Sequence, residues 1–421
     1  MKKKVLIIGG GFGGLSAAKV LGAYPDLFEV HLYDRRNYHL FQPLLYQVAT
    51  AGLSPSDIAV PIRSILSSYK NVSVVLEEVT SINPLSKTVS TPKGEVTYDY
   101  LISACGSRHS YFGKDEWEDF APGLKTLEMA TEIRRRILTS FESAEIETNP
   151  EEKEAAMSFV VIGGGPTGVE TAGAIIEIAT NTLARDFRNI NPQETKVYLV
   201  EAGPKVLASF SSDLSRSGLE DLQKIGVEVL TNSMVVNVDD KKVTIKNQDK
   251  TFDIPTRTVI WAAGVKASSL NQTIGTPVDR AGRVMIKSDL TLPNHPETFV
   301  IGDQANFLID DKHSLPGLAP VAIQQGRHAA KNIVRAALGK NMKNFVYFDK
   351  GQMATIGTKL AVMQFKGIEA RGFIAWMSWL FVHIMYLIGF KNRVLVMFQW
   401  FWSYITFNRG SRLIMQKDWK K

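Results

Sequence analysis

Cysteine is nearly absent from this chain: among 421 residues only Cys105 carries a thiol. One cysteine excludes a disulfide framework, a CxxC redox pair and a cysteine-built zinc or iron-sulfur site. It fits a reducing compartment, and Cys105 is expected as a small buried side chain rather than a nucleophile. Net charge is missing from most of the sequence too. The formal charge is +7, from 49 Lys+Arg against 42 Asp+Glu, but Arg371 to Lys421 alone holds eight basic residues against the single acid Asp418, so residues 1–370 sum to zero. With 45% hydrophobic and 22% charged side chains, disorder as the dominant state is excluded, and the length predicts two or three domains. A secretory signal is not expected, because the apolar run Val5–Ile8 is four residues long before glycines begin.

The last 51 residues differ in character, holding five of the seven tryptophans and 13 of the 40 aromatics. Basic plus aromatic composition suits nucleic acid or membrane. Nothing charged lies between Arg371 and Lys391 or between Arg393 and Arg409, whereas a groove for phosphates needs cations throughout. Membrane contact is therefore expected, and nucleic acid is not. The 19 uncharged residues from Gly372 to Phe390 would reach about 28 Å as a helix, close to a hydrocarbon core of roughly 30 Å. Basic residues on both flanks oppose spanning, and Trp376, Trp379, His383, Tyr386 and Phe390 recur at helical spacing as one aromatic stripe. Two in-plane amphipathic helices are predicted, the second over Val394 to Phe407 with Trp400, Trp402 and Tyr404 as interfacial anchors. A dimer interface or a buried core helix is the alternative use of the same residues.

Near the N-terminus a buried strand runs into Gly9, Gly11 and Gly14, a helix continues through Ser16 to Gly22, and a strand from Phe28 to Tyr33 ends at Asp34. This order suits a dinucleotide: the first glycine permits the tight turn, the second lets the backbone approach a pyrophosphate, and the third allows close helix packing. Helix N–H groups then meet the phosphates, and Asp34 can accept from a ribose. A tight packing turn without a ligand is the alternative. The pattern recurs at Phe159–Ile162, Gly163, Gly165 and Gly168, with a helix to about Arg185 and a strand Val197–Val200 ending in Glu201. The extra length before Glu201 sits in a polar stretch around Asn189 to Pro192, read as a loop insertion. Glu201 would bond a ribose diol and repel a 2′-phosphate, favouring NADH over NADPH, a preference moderated by Lys205. The segments Tyr98–Gly106 and Thr258–Gly264 read as the return strands of the two folds, and a short strand Thr298–Ile301 leads to Gly302-Asp303.

These residues resemble the two-dinucleotide flavoproteins and, more narrowly, the type II NADH dehydrogenases, single-chain NADH:quinone oxidoreductases that pump no protons. The most specific segments are GGGFGGL (9–15), YHLFQPLLYQVATAGLSP (38–55), VVIGGGPTGVE (160–170), FVIGD (299–303) and APVAIQQG (319–326). The resemblance implies an α/β fold of two Rossmann-like domains, the NAD domain inserted in the FAD domain, plus a C-terminal amphipathic membrane-binding helical segment. The implied boundaries are 1–115 and 281–345 for FAD, 116–280 for NADH, and 346–421 for the membrane-binding region. It also implies peripheral attachment to the cytoplasmic face of the cell membrane and a homodimer.

For FAD the resemblance implies Gly9, Gly11, Phe12, Gly13, Gly14, Asp34, Arg35, Gln42, Pro43, Leu44, Val79, Ala104, Gly106, Asp303, Ala319, Val321 and Ala322. For NADH it implies Gly163, Gly165, Thr167, Gly168, Glu170, Glu201, Ala263 and Gly264. A membrane quinone is expected beside Ala322, Gln324 and Lys350, with Glu170 and Lys350 as catalytic groups and no metal. Glu170, near a positive helix end, is expected to stay ionised; a solvated first-turn glutamate is the bland alternative. Leu40, Phe41, Leu44 and Leu45 are expected to pack the core. The family's usual AQxAxQ segment departs here to Ala319-Pro320, and proline offers no donor. A single cysteine rules out the redox-cysteine chemistry of sulfide:quinone oxidoreductases and disulfide reductases. An NADH-sensing flavoprotein, or an NADH-dependent reductase of a protein acceptor, remains the alternative activity.

Overall fold

A computed structural model describes residues 1–310, 313–406 and 410–414. The chain forms two compact units, each assembled from three stretches: Met1–Leu40, Ala59–Arg108 and Val265–Asp349 in the first, Phe41–Ile58, His109–Gly264 and Lys350–Lys421 in the second.

The first unit is built on a six-stranded sheet in the order Thr291–Leu292, His295–Val300, Tyr100–Ser103, Lys3–Ile8, Phe28–Asp34, Val72–Leu76. All its pairings are parallel except the edge pair Thr291–Leu292 with His295–Val300. Val5 to Ile8 are buried, as a central parallel strand covered on both faces requires, which is why the segment reads as an unbroken apolar run. Helix Phe12–Gly22 packs against helix Ala319–Ala337. Their approach depends on small residues: a Cβ on Gly326 would fall 2.1 Å from the Gly13 carbonyl oxygen.

The second unit repeats the plan with a four-stranded parallel sheet, Val227–Leu230, Lys196–Val200, Ser158–Ile162, Thr258–Trp261. Tyr100–Ser103 and Thr258–Trp261 each pair beside the first strand of their own unit, as return strands should. Helix Pro166–Glu177 widens into a π-turn at Ile178–Thr182, short of the expected end near Arg185. The polar insertion that follows is tied down where the Glu145 carboxylate accepts the N–H groups of Arg188 and Asn189. A three-stranded antiparallel sheet, Gln352–Gly357, Leu360–Phe365 and Ile368–Arg371, lies against helix Pro166–Glu177. Gly173 allows that contact, since a Cβ there would sit 1.8 Å from the Ile356 oxygen.

The tail forms two helices, Gly372–Tyr386 and Phe390–Thr406, broken at Gly389 in the left-handed region. Among the described residues no helix is long and apolar enough to cross a membrane. The expected stripe is corrected in part: Trp376 and Trp379 are buried, at 6% and 1% exposure, and pack inward, while Tyr386 and Phe390 of the same stripe are exposed. The outward side carries Phe373, Ile374, Met377, Phe381 and Met385, all exposed. Periodicity defined a face but not its sign, because both sides of this helix are apolar. Phe407, Arg409 and the basic residues Lys417, Lys420 and Lys421 lie outside the described residues.

Candidate functional site

Each unit presents a glycine cradle of the same construction. In the first, Gly9 takes φ +100° and the third glycine, Gly14, lies so close that a Cβ would stand 1.9 Å from the Gly9 oxygen. Gly11 caps helix Phe12–Gly22 in extended conformation, and a Cβ there would meet nothing within 4 Å. That open side is where helix N–H groups can receive phosphate. Asp34 ends the second strand and is held from two sides: Oδ2 accepts Gly10 N–H at 2.6 Å and Oδ1 accepts Arg36 N–H at 2.7 Å.

The second cradle matches feature by feature. A Cβ on Gly168 would lie 1.8 Å from the Gly163 oxygen, and one on Gly165 would meet nothing within 4 Å. Glu201 accepts Gly164 N–H at 2.6 Å and Gly203 N–H at 2.6 Å. Both acids are thus oriented by backbone amides, leaving further lone pairs for ribose hydroxyls. Lys205 turns to the Phe210 carbonyl, at 3.4 Å, rather than to Glu201. Thr167 is exposed on the first turn, and Gly264, at φ +65°, closes the return strand after Ala263.

Other expected residues of the first unit gather around the same sheet edge. The Ala104 carbonyl bounds the Gly9 turn and Gly106 takes φ +69°. Val79 is buried beside Ile8 and Tyr33 in the core, and Arg35 pairs with Glu78 at the surface. Asp303, in the turn Gly302–Gln304, accepts from Ser107 Oγ at 2.7 Å, while buried Gln325 accepts Gly302 N–H at 2.7 Å. Ser107 gave no signal in the sequence, and Gln325 none beyond its place in the 319–326 segment. Pro320 occupies the first turn of helix Ala319–Ala337, where its missing N–H removes no helical bond. Gln324, expected at a quinone, uses both amide atoms on the Phe348 main chain, at 2.9 and 3.0 Å. Burial pushes the Cys105 thiol up to about 12, in keeping with an inert role.

The second unit also holds a half-buried carboxyl in a desolvated setting. Glu170 lies on helix Pro166–Glu177 at the wall of a cavity of about 70 Å³ that Tyr46, Glu177, Thr355, Trp379 and Trp400 help line. Among the described residues no Lys, Arg or His lines it, and desolvation pushes Glu170 up to about 8. The Thr355 N–H, 3.4 Å away, pulls weakly the other way, as does the indole N–H of Trp379, which faces the carboxyl without closing to a hydrogen bond. The expectation of an ionised Glu170 is therefore reversed: desolvation under the aromatic tail outweighs the helix end. Around it runs a polar chain, Trp400 Nε1 donating to Gln47 Oε1 at 2.7 Å, Gln47 Nε2 to the Tyr46 hydroxyl at 3.1 Å, and that hydroxyl bonded to Thr355 Oγ1 at 3.1 Å.

Lys350 lies outside this lining. Its ammonium bonds the Tyr386 hydroxyl and sits 5.1 Å from the ring centroid. Gln42 is exposed and reaches the Lys125 carbonyl at 3.5 Å, Pro43 is half-buried, and Leu44 packs the core with Phe41 and Leu45.

The pyridine nucleotide-disulphide oxidoreductase family matches residues 3–326, and the NDH2 C-terminal domain matches residues 350–409. The type II NADH:quinone oxidoreductase NdhA of Mycobacterium tuberculosis is 45% identical, over 98% of this chain and 89% of the relative. That of Staphylococcus haemolyticus is 32% identical, over 85% and 88%. In fold, the solved structure of NDH2 from Plasmodium falciparum in complex with NADH gives a TM-score of 0.88 at 21% identity, over 99% of this chain and 100% of that one. Twin cradles, a matching C-terminal domain and full-length identity at this level place the chain in the type II NADH:quinone oxidoreductases of the pyridine nucleotide-disulphide oxidoreductase family.

Proposed function

We propose that this chain oxidises NADH and reduces a quinone through FAD. The observation that carries the reading is the pair of separate cradles, each with its own backbone-oriented acid, one for each dinucleotide. FAD, when bound, supplies the two-electron chemistry that links hydride donor to quinone. The protein's part is to hold and to manage protons. Gly11 and Gly165 leave open the sides where pyrophosphates are received, and Asp34 and Glu201 take the riboses. An acid at Glu201, with Lys205 turned aside, supports NADH over NADPH.

Reducing a quinone to a quinol takes two electrons and two protons, and a hydride carries only one proton. Glu170, neutral at pH 7 and facing a cavity large enough for a few water molecules, suits donation of the other. Lys350, next to the tail through Tyr386, offers a cation for a developing quinol anion. The outward apolar side of helix Gly372–Tyr386 supports attachment to a bilayer, from which an isoprenoid quinone arrives. We place the enzyme on the cytoplasmic face, peripherally, and assign it a homodimer that shares this apolar surface. Steady-state oxidation of NADH with a soluble quinone tests the reading. Turnover with NADH far above that with NADPH is expected, and NADH binding without turnover would replace an enzyme by a sensor.

A further inference from the structure

The two cradles hold the peptide after their middle glycine differently. Each has a middle glycine whose N–H is taken by the strand-end acid, Gly10 by Asp34 and Gly164 by Glu201. Each of these glycines also has its carbonyl tied. In the second unit the tie is main chain: Leu207 N–H donates to the Gly164 oxygen at 2.7 Å. In the first it is a side chain, for His39 Nδ1 lies 3.0 Å from the Gly10 oxygen. A carbonyl only accepts, so Nδ1 carries the proton and Nε2 is left a bare acceptor.

His39 is 2% exposed, and its ring meets Phe12 edge to face at 5.0 Å, on the first residue of the cradle helix. Burial, helped by Lys19 and opposed by the Gly10 bond, pushes it down to about 4, so the ring is neutral and keeps this tautomer at any working pH. Its Nε2 has no partner among the described residues. A buried, unmatched polar atom costs stability, so an apolar residue would fill this place more favourably if packing were all it did.

The consequence of the tie follows from peptide geometry. The chain has no cis bond among the described residues, and in a planar trans peptide the carbonyl and the following N–H point in opposite directions. Holding the Gly10 oxygen inward therefore turns the Gly11 N–H outward, beside the side of Gly11 that is open. We propose that His39 is a positioning residue for the first cradle, fixing the Gly10–Gly11 peptide so that the Gly11 N–H is presented to a dinucleotide pyrophosphate.

This rests on the reading that the first cradle takes FAD. The test strips FAD from purified holoenzyme by dialysis and titrates it back, for the natural protein and for His39→Leu, His39→Ala and His39→Asn. Leucine fills the ring's space without a donor, and alanine covers the case in which leucine does not fold. Asparagine places its amide N–H close to where Nδ1 stands. Leucine or alanine is expected to weaken FAD binding about tenfold, the loss of one charge-assisted hydrogen bond to phosphate, and asparagine to remain within about threefold of the natural protein. The KM for NADH, held by a cradle with its own main-chain tie, is expected to stay unchanged in the FAD-loaded variants. Undiminished FAD affinity in the leucine or alanine variant, or an asparagine variant as weak as these, would overturn the assignment. A natural protein that took up no FAD would instead overturn the reading of the cradle.

Discussion

Replacing Glu170 by glutamine separates the cost of its buried proton from its use. A native carboxyl pushed up to about 8 keeps a proton that the unfolded chain releases near 4.5. Between these two values the native state binds more protons, so rising pH pulls the equilibrium toward the unfolded chain. Glutamine has nearly the same shape and does not titrate. At pH 7 the protonation penalty it removes is about 3 kcal/mol, an upper bound because water in the cavity offsets part of it. Thermal unfolding of both proteins at several pH values reads this directly. Near the acid end the two melting temperatures should coincide, and by about pH 8 the Glu170→Gln protein should melt several degrees higher. In the same variant, turnover with NADH and quinone should fall while FAD stays bound. A melting difference that does not change with pH, or a variant that melts lower at alkaline pH, would refute the assignment of a neutral, desolvated carboxyl.

Two further outcomes follow from the packing. Gly168→Ala puts a methyl 1.8 Å from the Gly163 oxygen, and the required backbone shift should raise the KM for NADH by at least about tenfold without loss of bound flavin, checked by steady-state kinetics and the visible spectrum. Phe381 is exposed on the outward side of the first tail helix. Phe381→Glu should reduce co-sedimentation with anionic liposomes while leaving the melting temperature within about a degree, since surface changes rarely move stability by more than about 0.5 kcal/mol.

What could be read from the sequence was local. Each glycine cradle is strand, turn, helix and strand in order, and the constraint on its third glycine comes from an atom a few residues away, as with Gly14 over the Gly9 oxygen, whereas Gly9 itself is bounded by the distant Ala104 carbonyl. Glu170 was found by its place in such a motif, but its protonation was not. Its environment is set by Trp379 and Trp400, some two hundred residues later in the chain, and no local pattern carries that distance. The tail helices were legible as helices, while their orientation was not, since Trp376 and Phe373 are equally apolar and only packing distinguishes them. Ser107 and Gln325 reach the Gly302-Asp303 turn across the fold, and neither a lone serine nor the second glutamine of the 319–326 segment announces that contact. Gln324 was marked by the motif, and the structure adds what the sequence did not show, that its amide is anchored on the Phe348 main chain.

The central claim, that two dinucleotides are held for electron transfer to a quinone, is tested most directly by anaerobic spectroscopy of the purified protein. NADH should bleach the flavin absorbance, NADPH should do so far more slowly, and a quinone added afterwards should restore the oxidised spectrum. A protein that is colourless and cannot be loaded with FAD, or a flavin that NADH leaves oxidised, would contradict it.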